Sequence, residues 1–181
     1  MTEDSAPQRT LRVLLVIDHL GSGGAQVVLR YLAAALQKDF EILVCALRSS
    51  EYVGGLQGVK AITLPGRKYD LRKIFSLARL LKQEKIDIVH THLFASSVLG
   101  VLAAKFANVS KIICHDHSGR ELYDQYALFA WLVARPLQLI QNYLVDIFVC
   151  VSSEVHDFNL QNLKRPANKL TIARNWFLKQ E

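Results

Sequence analysis

Short apolar runs alternate with longer amphipathic segments from one end of the chain to the other, and this alternation is the feature that most constrains the fold. Runs rich in Val, Ile and Leu are typical of strands that are buried on both faces of a parallel sheet. The segments between them repeat apolar residues at helical spacing. Because crossovers between parallel strands are right-handed, the sequence predicts an α/β fold, a doubly wound, mostly parallel, Rossmann-like sheet with helices on both faces.

Seven strands and five helices follow from this pattern. The predicted strands cover residues 11–17, 41–47, 59–64, 86–90, 111–114, 145–151 and 169–173. The predicted helices cover residues 25–38, 71–81, 94–107, 122–143 and 153–163. Asp70 is expected to cap the second helix and Ser152 or Ser153 the last. Pro136 is expected to split or kink the fourth helix, because proline lacks the N–H and clashes with the preceding turn.

Length and composition set the class of the protein. The 181 residues are close to one ordinary domain of roughly 100–200 residues. Hydrophobic residues make up 51% and charged residues 21%, which excludes a disordered or fibrous chain. The formal net charge of +6 favours anionic partners such as nucleotides, phosphates or lipid headgroups. We therefore expect one globular domain over residues 11–175, after a disordered tail over residues 1–10.

The cysteines and the first residues of the chain indicate the cellular compartment in which the protein resides. Cys45, Cys114 and Cys150 each lie in an apolar run without Cys-x-x-Cys spacing, which indicates buried, reduced thiols. Glu3 and Asp4 stand where a secretory signal peptide has basic residues. The most apolar long stretch, at 126–145, is interrupted by polar residues and is therefore too short to span a membrane. The sequence therefore predicts a cytoplasmic protein without a signal peptide or a membrane span.

Polar residues collect where the predicted strands end. Ligands of a doubly wound sheet bind at the carboxyl ends of its strands. The residues at those ends are Asp18, His19, Gly21, Gly23, Gly24, His90, His92, His115, Asp116, His117, Ser152 and Asn175. Five of the six histidines of the chain are among them, whereas random placement would scatter them. This clustering predicts a functional site at the carboxyl edge of the sheet.

A glycine-rich turn, Gly21-Ser22-Gly23-Gly24, links the first predicted strand to the first helix. Such a turn can place backbone N–H groups and the positive end of the helix dipole against a phosphate. A tight turn that merely needs glycine is the alternative interpretation. The dinucleotide fingerprint Gly-x-Gly-x-x-Gly fails, because Gln26 occupies its third glycine position and no acid follows the second strand. A P-loop fails too, since Gly-Lys-Ser/Thr is missing.

The paired histidines allow two interpretations. Side chains at i and i+2 of an extended segment point the same way, so two such pairs could offer four nitrogens to a metal ion, with Asp116 as a further ligand. We expect no metal site, because no His-x-His-x-Asp-His run is present and the cysteines lie within strands. The second interpretation gives His90 or His92 a buried, hydrogen-bonded role and His115 or His117 a polar or acid–base role in a cleft.

A basic segment surrounds the start of the second predicted helix. Its residues are Arg67, Lys68, Arg72, Lys73, Arg79, Lys82 and Lys85. We interpret it as a solvated helix face, and the alternative is docking on an anionic membrane surface. The apolar segment around Phe129 and Trp131 favours the same alternative. Nucleic-acid binding is not expected, because no aromatic-stacking motif is present.

Four segments, taken in order, resemble a known family. The segment VLLVIDHLGSGGAQVVLRYLAAAL is similar to the opening of the family 4 retaining glycosyltransferases of GT-B architecture, in which Gly-x-Gly-Gly-Ala-Glu joins a strand to a helix. IDIVHTHLFASSVLGVLAAKFANV is similar to the family's fourth strand and following helix, VDIFVCVSSEV to its Asp-x-x-x-x-Val-Ser segment, and KLTIARNWF to the segment that closes its N-terminal domain. The resemblance covers residues 11–177. It identifies residues 11–175 as a family 4-like N-terminal domain and residues 176–181 as the start of an interdomain linker.

The resemblance implies two Rossmann-like domains that face each other across a cleft. The N-terminal domain would bind the acceptor, and a C-terminal domain would bind the nucleotide-sugar donor through a Glu-x7-Glu motif. The donor-facing loop would comprise Gly21, Gly23, Gly24 and Gln26. His117, or His115 if the alignment slips, would orient the sugar, with His19, His92, Asp116, Ser152 and Asn175 as further cleft candidates. The resemblance implies that no metal is required. It also implies no cofactor, because the nucleotide-sugar is a co-substrate.

Three positions depart from the family's pattern. Gln26 stands where the family often has Glu. Trp176 replaces the glycine that, in the family, follows the hinge asparagine, which corresponds to Asn175 here. The sequence stops at Glu181, where a donor domain would begin. We therefore expect this chain alone to be inactive and the donor domain to be supplied in cis or in trans.

The expected function is the acceptor-binding half of a retaining sugar transferase, with a nucleotide-sugar donor and a glycan or lipid-linked acceptor. Peripheral contact with the inner face of a membrane fits this expectation. A non-catalytic partner or membrane-docking module with the same fold is the alternative, and it would carry a continuous apolar patch at the carboxyl edge. NAD(P) binding is a third hypothesis, which the missing fingerprint glycine argues against.

Overall fold

A parallel sheet of seven strands organises the computed structural model, which describes residues 9–50, 55–67, 70–117 and 135–173. Its strands are β1 (Arg12–Ile17), β2 (Glu41–Ala46), β3 (Lys60–Thr63), β4 (Ile88–His92), β5 (Lys111–Asp116), β6 (Ile147–Cys150) and β7 (Leu170–Ile172). The helices are α1 (Gly24–Leu36), α2 (Arg72–Gln83), α3 (Phe94–Ala107), α4 (Arg135–Leu144) and α5 (Ser153–Gln161), and a 3₁₀ helix at Ala167–Lys169 precedes β7. The α/β, Rossmann-like class predicted from the sequence is confirmed.

The strand order puts the point of chain reversal beside the first strand. The order is β3-β2-β1-β4-β5-β6-β7, and every neighbouring pair is parallel. The chain winds outwards from β1 to β3 and then returns to lie on the other side of β1 as β4. Ile17 at the end of β1 lies opposite His92 at the end of β4. The loops that leave these two strands diverge, and doubly wound sheets bind ligands at such a crevice.

Two apolar cores lie on opposite faces of the sheet. Val13, Leu15 and Ile17 of β1 pack with residues of α1. Leu14 and Val16 point to the other face and pack with residues of α2 and α3. This alternation is that of a strand buried on both faces, as the run of apolar residues predicts. The prediction of buried thiols without disulfide bonds is confirmed for Cys45, Cys114 and Cys150.

The ends of β4 and β5 differ from the prediction. Both strands run two residues further, to His92 and to Asp116, than the apolar runs indicate. A polar residue in the sequence usually marks the end of a strand, but the backbone ladder decides where pairing stops. Here Ile17 pairs with His92, and His92 pairs with His115. These histidines therefore lie on the strands themselves and not in the loops that follow them.

The helix ends lie close to their predicted positions. Ser152 caps α5, since its hydroxyl accepts the N–H of Val155 at 3.2 Å. α2 begins at Arg72, so Asp70 lies one residue too early to be its cap, but its carboxylate still accepts the Arg72 N–H at 3.0 Å. The fourth predicted helix is described only from Arg135. Its earlier part, most of the predicted tail and the predicted linker lie outside the described residues.

Gly100 marks a close approach of α3 to the sheet. A Cβ at this position would lie 2.6 Å from Cγ2 of Thr91 on β4. Thr91 cannot turn away without losing the contact of its hydroxyl with that of Ser97 at 3.0 Å. We expect Gly100→Val to lower the free energy of unfolding by about 1–3 kcal/mol, because α3 must move away from the sheet.

Urea denaturation measures this loss. Gly24→Val is the matched control, because no atom lies within 4 Å of a Cβ at that position. Equal unfolding midpoints for the two variants would contradict the assignment of Gly100 to a tight packing contact.

Candidate functional site

The carboxyl edge of β1, β4 and β5 gathers most of the residues that the sequence singles out. His90 and His92 lie on β4, His115 lies on β5, and His117 follows β5 directly. The remaining candidates are more dispersed. Ser152 caps α5, and Asn175 lies outside the described residues.

The loop between β1 and α1 exposes Gly23 and Gly24 but buries Gly21. Ser22, Gly23 and Gly24 are exposed, and Gly23 has a φ of +149°, which side chains rarely adopt. α1 begins at Gly24 without a side-chain cap and without an acidic residue in its first turn. Its first backbone N–H groups and the positive end of its dipole therefore remain available to an anion such as a phosphate.

Side chains beneath this loop hold it in place. His19 Nδ1 accepts the N–H of Gly21 at 3.1 Å. Arg30 donates to the carbonyls of Leu20 and Gly21 at 2.6 and 3.1 Å. Gln26 is 3% exposed, and its Nε2 lies 3.3 Å from His19 Nε2. Its amide is thus directed at His19, whereas the resemblance places it in a donor-facing loop.

A buried carboxylate connects this loop to the next helix. Asp18 is 3% exposed, and its Oδ1 accepts the N–H of Ser96 in the first turn of α3 at 2.9 Å. Leu93, between His92 and α3, has a φ of +74°, a conformation that non-glycine residues rarely adopt. Backbone strain of this kind concentrates at functional sites. Asp18 thereby fixes the amino end of α3 to the carboxyl end of β1 at the crevice.

Four imidazole rings form a column across the ends of β4 and β5. The ring centroids lie 4.7 Å apart for His90 and His92, 5.0 Å for His92 and His115, and 4.5 Å for His115 and His117. His92 Nδ1 lies 3.0 Å from His117 Nε2, so one of these rings donates a hydrogen bond to the other. The column follows from the register, because residues two apart share a face of a strand and His92 pairs with His115.

Burial keeps the rings of this column neutral. His90, His92 and His115 are 7%, 0% and 4% exposed, whereas His117 is half-buried. Loss of solvation lowers the pKa of His90 and of His117 to about 3 and that of His115 to about 4, and it holds the pKa of His92 well below its usual range. Each ring therefore has one donor and one acceptor nitrogen at neutral pH. His117 is the most accessible ring of the column.

Among the described residues, the inner rings of the column are incompletely hydrogen-bonded. Nε2 of His90, Nε2 of His92 and both nitrogens of His115 find no hydrogen-bond partner within the described part of the chain. The sequence predicts a buried, hydrogen-bonded imidazole at His90 or His92. His92 meets that expectation through one nitrogen only, by its contact with His117.

Asp116 binds a residue that the sequence analysis does not identify. Arg165 is 5% exposed, contacts Asp116 Oδ2 through its guanidinium and lies 3.9 Å above the ring centroid of Phe148. Burial raises the pKa of Asp116, and the charge of Arg165 and its hydrogen bond oppose this effect. Asp116 is thus the counter-ion of a buried cation and not an unpaired carboxylate in a cleft. No spacing in the sequence signals a pair whose members are this far apart along the chain.

A second surface, formed by α2 and α3, is apolar and basic. Leu71, Phe75 and Phe106 are 66%, 70% and 59% exposed, and the two phenylalanine rings lie 6.0 Å apart between centroids. The exposed basic residues of these helices are Arg72, Arg79, Lys82 and Lys105. We refer to these seven residues as the Phe75–Phe106 patch. Among the described helices, none is long and apolar enough to cross a membrane.

The model of the family described as Glycosyltransferase Family 4 matches residues 22–177. The chain therefore belongs to Glycosyltransferase Family 4, as its resemblance to that family predicts. The matched range contains the exposed glycines, the histidine column and Arg165.

Curated relatives come from bacterial glycan biosynthesis. The capsular polysaccharide biosynthesis glycosyltransferase CapH of Staphylococcus aureus is 28% identical over 174 residues, which cover 92% of this chain and 47% of CapH. The UDP-Gal:alpha-D-GlcNAc-diphosphoundecaprenol alpha-1,3-galactosyltransferase of Escherichia coli is 28% identical over 106 residues, which cover 59% of this chain and 27% of the relative. The chain thus spans less than half the length of these relatives.

Solved structures share the fold. Anabaena HepE in complex with UDP-glucose superposes with a TM-score of 0.71 at 15% identity, over 91% of this chain and 44% of HepE. The lipopolysaccharide outer core galactosyltransferase WaaB superposes with a TM-score of 0.69 at 13% identity, over 91% of this chain and 46% of WaaB. These likenesses establish the architecture of one half of a GT-B protein.

Proposed function

We propose that this chain is the acceptor-side domain of a retaining glycosyltransferase that moves a sugar from a nucleotide-sugar to a lipid-linked glycan. One observation carries the proposal. The uncapped amino end of α1 and the histidine column, which ends in half-buried His117, lie at the same carboxyl edge of the sheet, after adjacent strands. A phosphate-binding element and a polar group beside it are what sugar transfer from a nucleoside diphosphate requires. Membership of Glycosyltransferase Family 4 supports the same reaction class.

Each element has a distinct role in the proposal. The N–H groups at Gly23 and Gly24 stabilise negative charge on the departing diphosphate, with the dipole of α1 behind them. His117 hydrogen-bonds to the transferred sugar as a neutral imidazole. His92 holds the His117 ring in place through their 3.0 Å contact. The donor domain supplies the other contacts to the nucleotide, in cis or in trans.

The names of two relatives support a choice of substrate class. The E. coli relative is named for UDP-Gal and a diphosphoundecaprenol-linked sugar, and a Campylobacter jejuni relative for a PP-undecaprenol-linked glycan. We take a UDP-sugar and a polyprenyl-diphosphate-linked saccharide as the first substrates to test. The net charge of +6 suits two anionic substrates.

The test uses the full-length protein, with its coding sequence read beyond Glu181 for a Glu-x7-Glu motif. The protein is incubated with a panel of UDP-sugars and an undecaprenyl-diphosphate-linked saccharide, and the anomeric configuration of the product is read by NMR. We expect one UDP-sugar to be consumed with retention. A product of inverted configuration would overturn the retaining mechanism. If no UDP-sugar is consumed, even when a donor-domain partner is added, the result would favour the non-catalytic alternative.

The Phe75–Phe106 patch supports a second proposal, peripheral contact with an anionic membrane. Exposed aromatic rings can enter the interface of a bilayer, and the surrounding basic side chains attract its headgroups. This surface would bring the domain to an acceptor that resides in the membrane.

Vesicle flotation tests the lipid contact. We expect Phe75→Ser combined with Phe106→Ser to weaken binding to phosphatidylglycerol-containing vesicles by about tenfold or more, since both rings lose their burial in the bilayer. Tyr31→Ser on α1 is the control, because Tyr31 is 47% exposed but lies on the opposite face of the sheet. Equal binding by the double variant and the wild type would contradict the proposal.

A further inference from the structure

Three of the four imidazoles of the histidine column form a compact buried group. One ligand nitrogen from each of His90, His92 and His115 lies within 4.8 Å of the other two. Each of these residues is less than a tenth exposed. Nitrogens of all three rings lack a hydrogen-bond partner in the described residues. Buried polar atoms in proteins nearly always have a partner, so unpartnered nitrogens this close together indicate a ligand.

We propose that His90, His92 and His115 together bind one divalent transition-metal ion of the zinc, cobalt and nickel class. Neutral imidazole nitrogen is a preferred ligand of these ions, whereas magnesium and calcium require oxygen ligands. The three residues contribute no carboxylate, so magnesium and calcium are excluded as occupants. Three protein ligands leave a fourth position for water or an anion.

The distances require only side-chain movement. Tetrahedral coordination with metal–nitrogen bonds of about 2.0–2.1 Å places neighbouring nitrogens about 3.4 Å apart. The ligand nitrogens are at most 4.8 Å apart, so the widest pair must close by about 1.4 Å. The rings of His90 and His92 are stacked at an interplanar angle of 24°, and those of His90 and His115 at 12°, so they must also turn about their side-chain torsions to direct one nitrogen each at the ion. The ladder of β4 and β5 holds His92 and His115 opposite each other.

His117 has a supporting part in this site. A histidine that binds a metal through one nitrogen usually donates its other N–H to a neighbouring acceptor, which fixes the ring. His92 Nε2 is unpartnered, and His92 Nδ1 lies 3.0 Å from His117 Nε2. His92 can therefore bind the ion through Nε2 and donate from Nδ1 to His117.

This proposal departs from the expectation of no metal site that the sequence supports. That expectation depends on a continuous run of ligands, whereas here two ligands lie on one strand and the third on its neighbour. The site does not depend on the proposed sugar transfer, and its test measures binding of the metal alone.

Cobalt titration of the chelator-stripped full chain tests the site. We expect one equivalent of Co²⁺ to give the visible absorption of a tetrahedral complex, Zn²⁺ to displace it, and excess Mg²⁺ to leave it unchanged. His115→Gln should weaken binding by about 100-fold or more, and His117→Gln by about 10–100-fold. The control combines His19→Ala with His156→Ala, which removes the two histidines outside the column and should leave affinity unchanged.

Several results would overturn the site. Absence of the tetrahedral spectrum in the wild type is one, and loss of binding in the control variant is another, because it would assign the metal to the other histidines. Circular dichroism shows whether His115→Gln is folded. Independently of any variant, pulsed electron paramagnetic resonance of the Cu²⁺-loaded wild type counts coordinated imidazoles. Three are expected, and one or none would contradict the proposal.

Discussion

Under the proposed function, replacing His117 by alanine in the full-length protein is expected to lower kcat by about 10²–10⁴-fold, the usual contribution of a positioned acid–base or hydrogen-bonding group. The fold should survive, because His117 is half-buried at the end of the column and belongs to neither apolar core. Turnover of the UDP-sugar that the wild type consumes is the measurement, with circular dichroism and thermal unfolding as checks on the fold.

Two further variants separate His117 from its neighbours. His156→Ala is the control, because His156 lies on α5 and pairs with Asp157 at 3.1 Å, away from the column. His115→Ala tests the alternative assignment of the role. A normal kcat for the His117 variant with a reduced kcat for the His115 variant would transfer the role to His115. Assays with and without added Zn²⁺ distinguish an effect on sugar transfer from an effect on metal affinity.

Replacing Asp116 by asparagine is expected to lower the free energy of unfolding by about 3–5 kcal/mol, because it leaves the charge of Arg165 buried without a counter-ion. The side chains of Arg165 and Asp116 are 4% and 20% exposed, so solvent cannot replace the lost partner. Contact with the face of Phe148 holds the guanidinium in place but does not neutralise it. Urea denaturation of the variant and the wild type measures the difference.

A double variant identifies the cause of that loss. Combining Asp116→Asn with Arg165→Met removes the buried charge, so much of the lost stability should return. Asp157→Asn is the control, since Asp157 is 63% exposed and its pair with His156 is solvated. If Asp116→Asn lowers the free energy of unfolding only as much as Asp157→Asn does, the result would contradict a stabilising role for the Asp116–Arg165 ion pair.

The sequence predicts the architecture well because the information is local. The apolar run at 11–17, the glycines after it and the helical spacing that follows each belong to one segment, and right-handed crossovers leave few topologies. β1 and α1 therefore lie close to their predicted bounds. The ends of β4 and β5 are predicted less well, because the residues that extend them are polar and are paired by neighbours far along the chain.

The candidate site is predicted in part for the same reason. Clustering of histidines at strand ends is visible in the sequence, and the structure brings four of them into one column. Their depth of burial is not visible, because it depends on how the sheet is covered. Arg165 and Ser96 are missed altogether, since each meets its partner, Asp116 or Asp18, only after the sheet has formed.

The strand order also has a consequence for biosynthesis. Translation proceeds from the amino terminus, and β1 forms ladders with β2 on one side and β4 on the other. β4 ends at His92, so about the first half of the chain must leave the ribosome before the second edge of β1 can be covered. During that interval the nascent chain carries a strand that is apolar from Val13 to Ile17 and has one unpaired edge, which is a template for aggregation. β1, an interior strand of the finished sheet, is thus the segment of the nascent chain that is most exposed to such pairing before β4 is made.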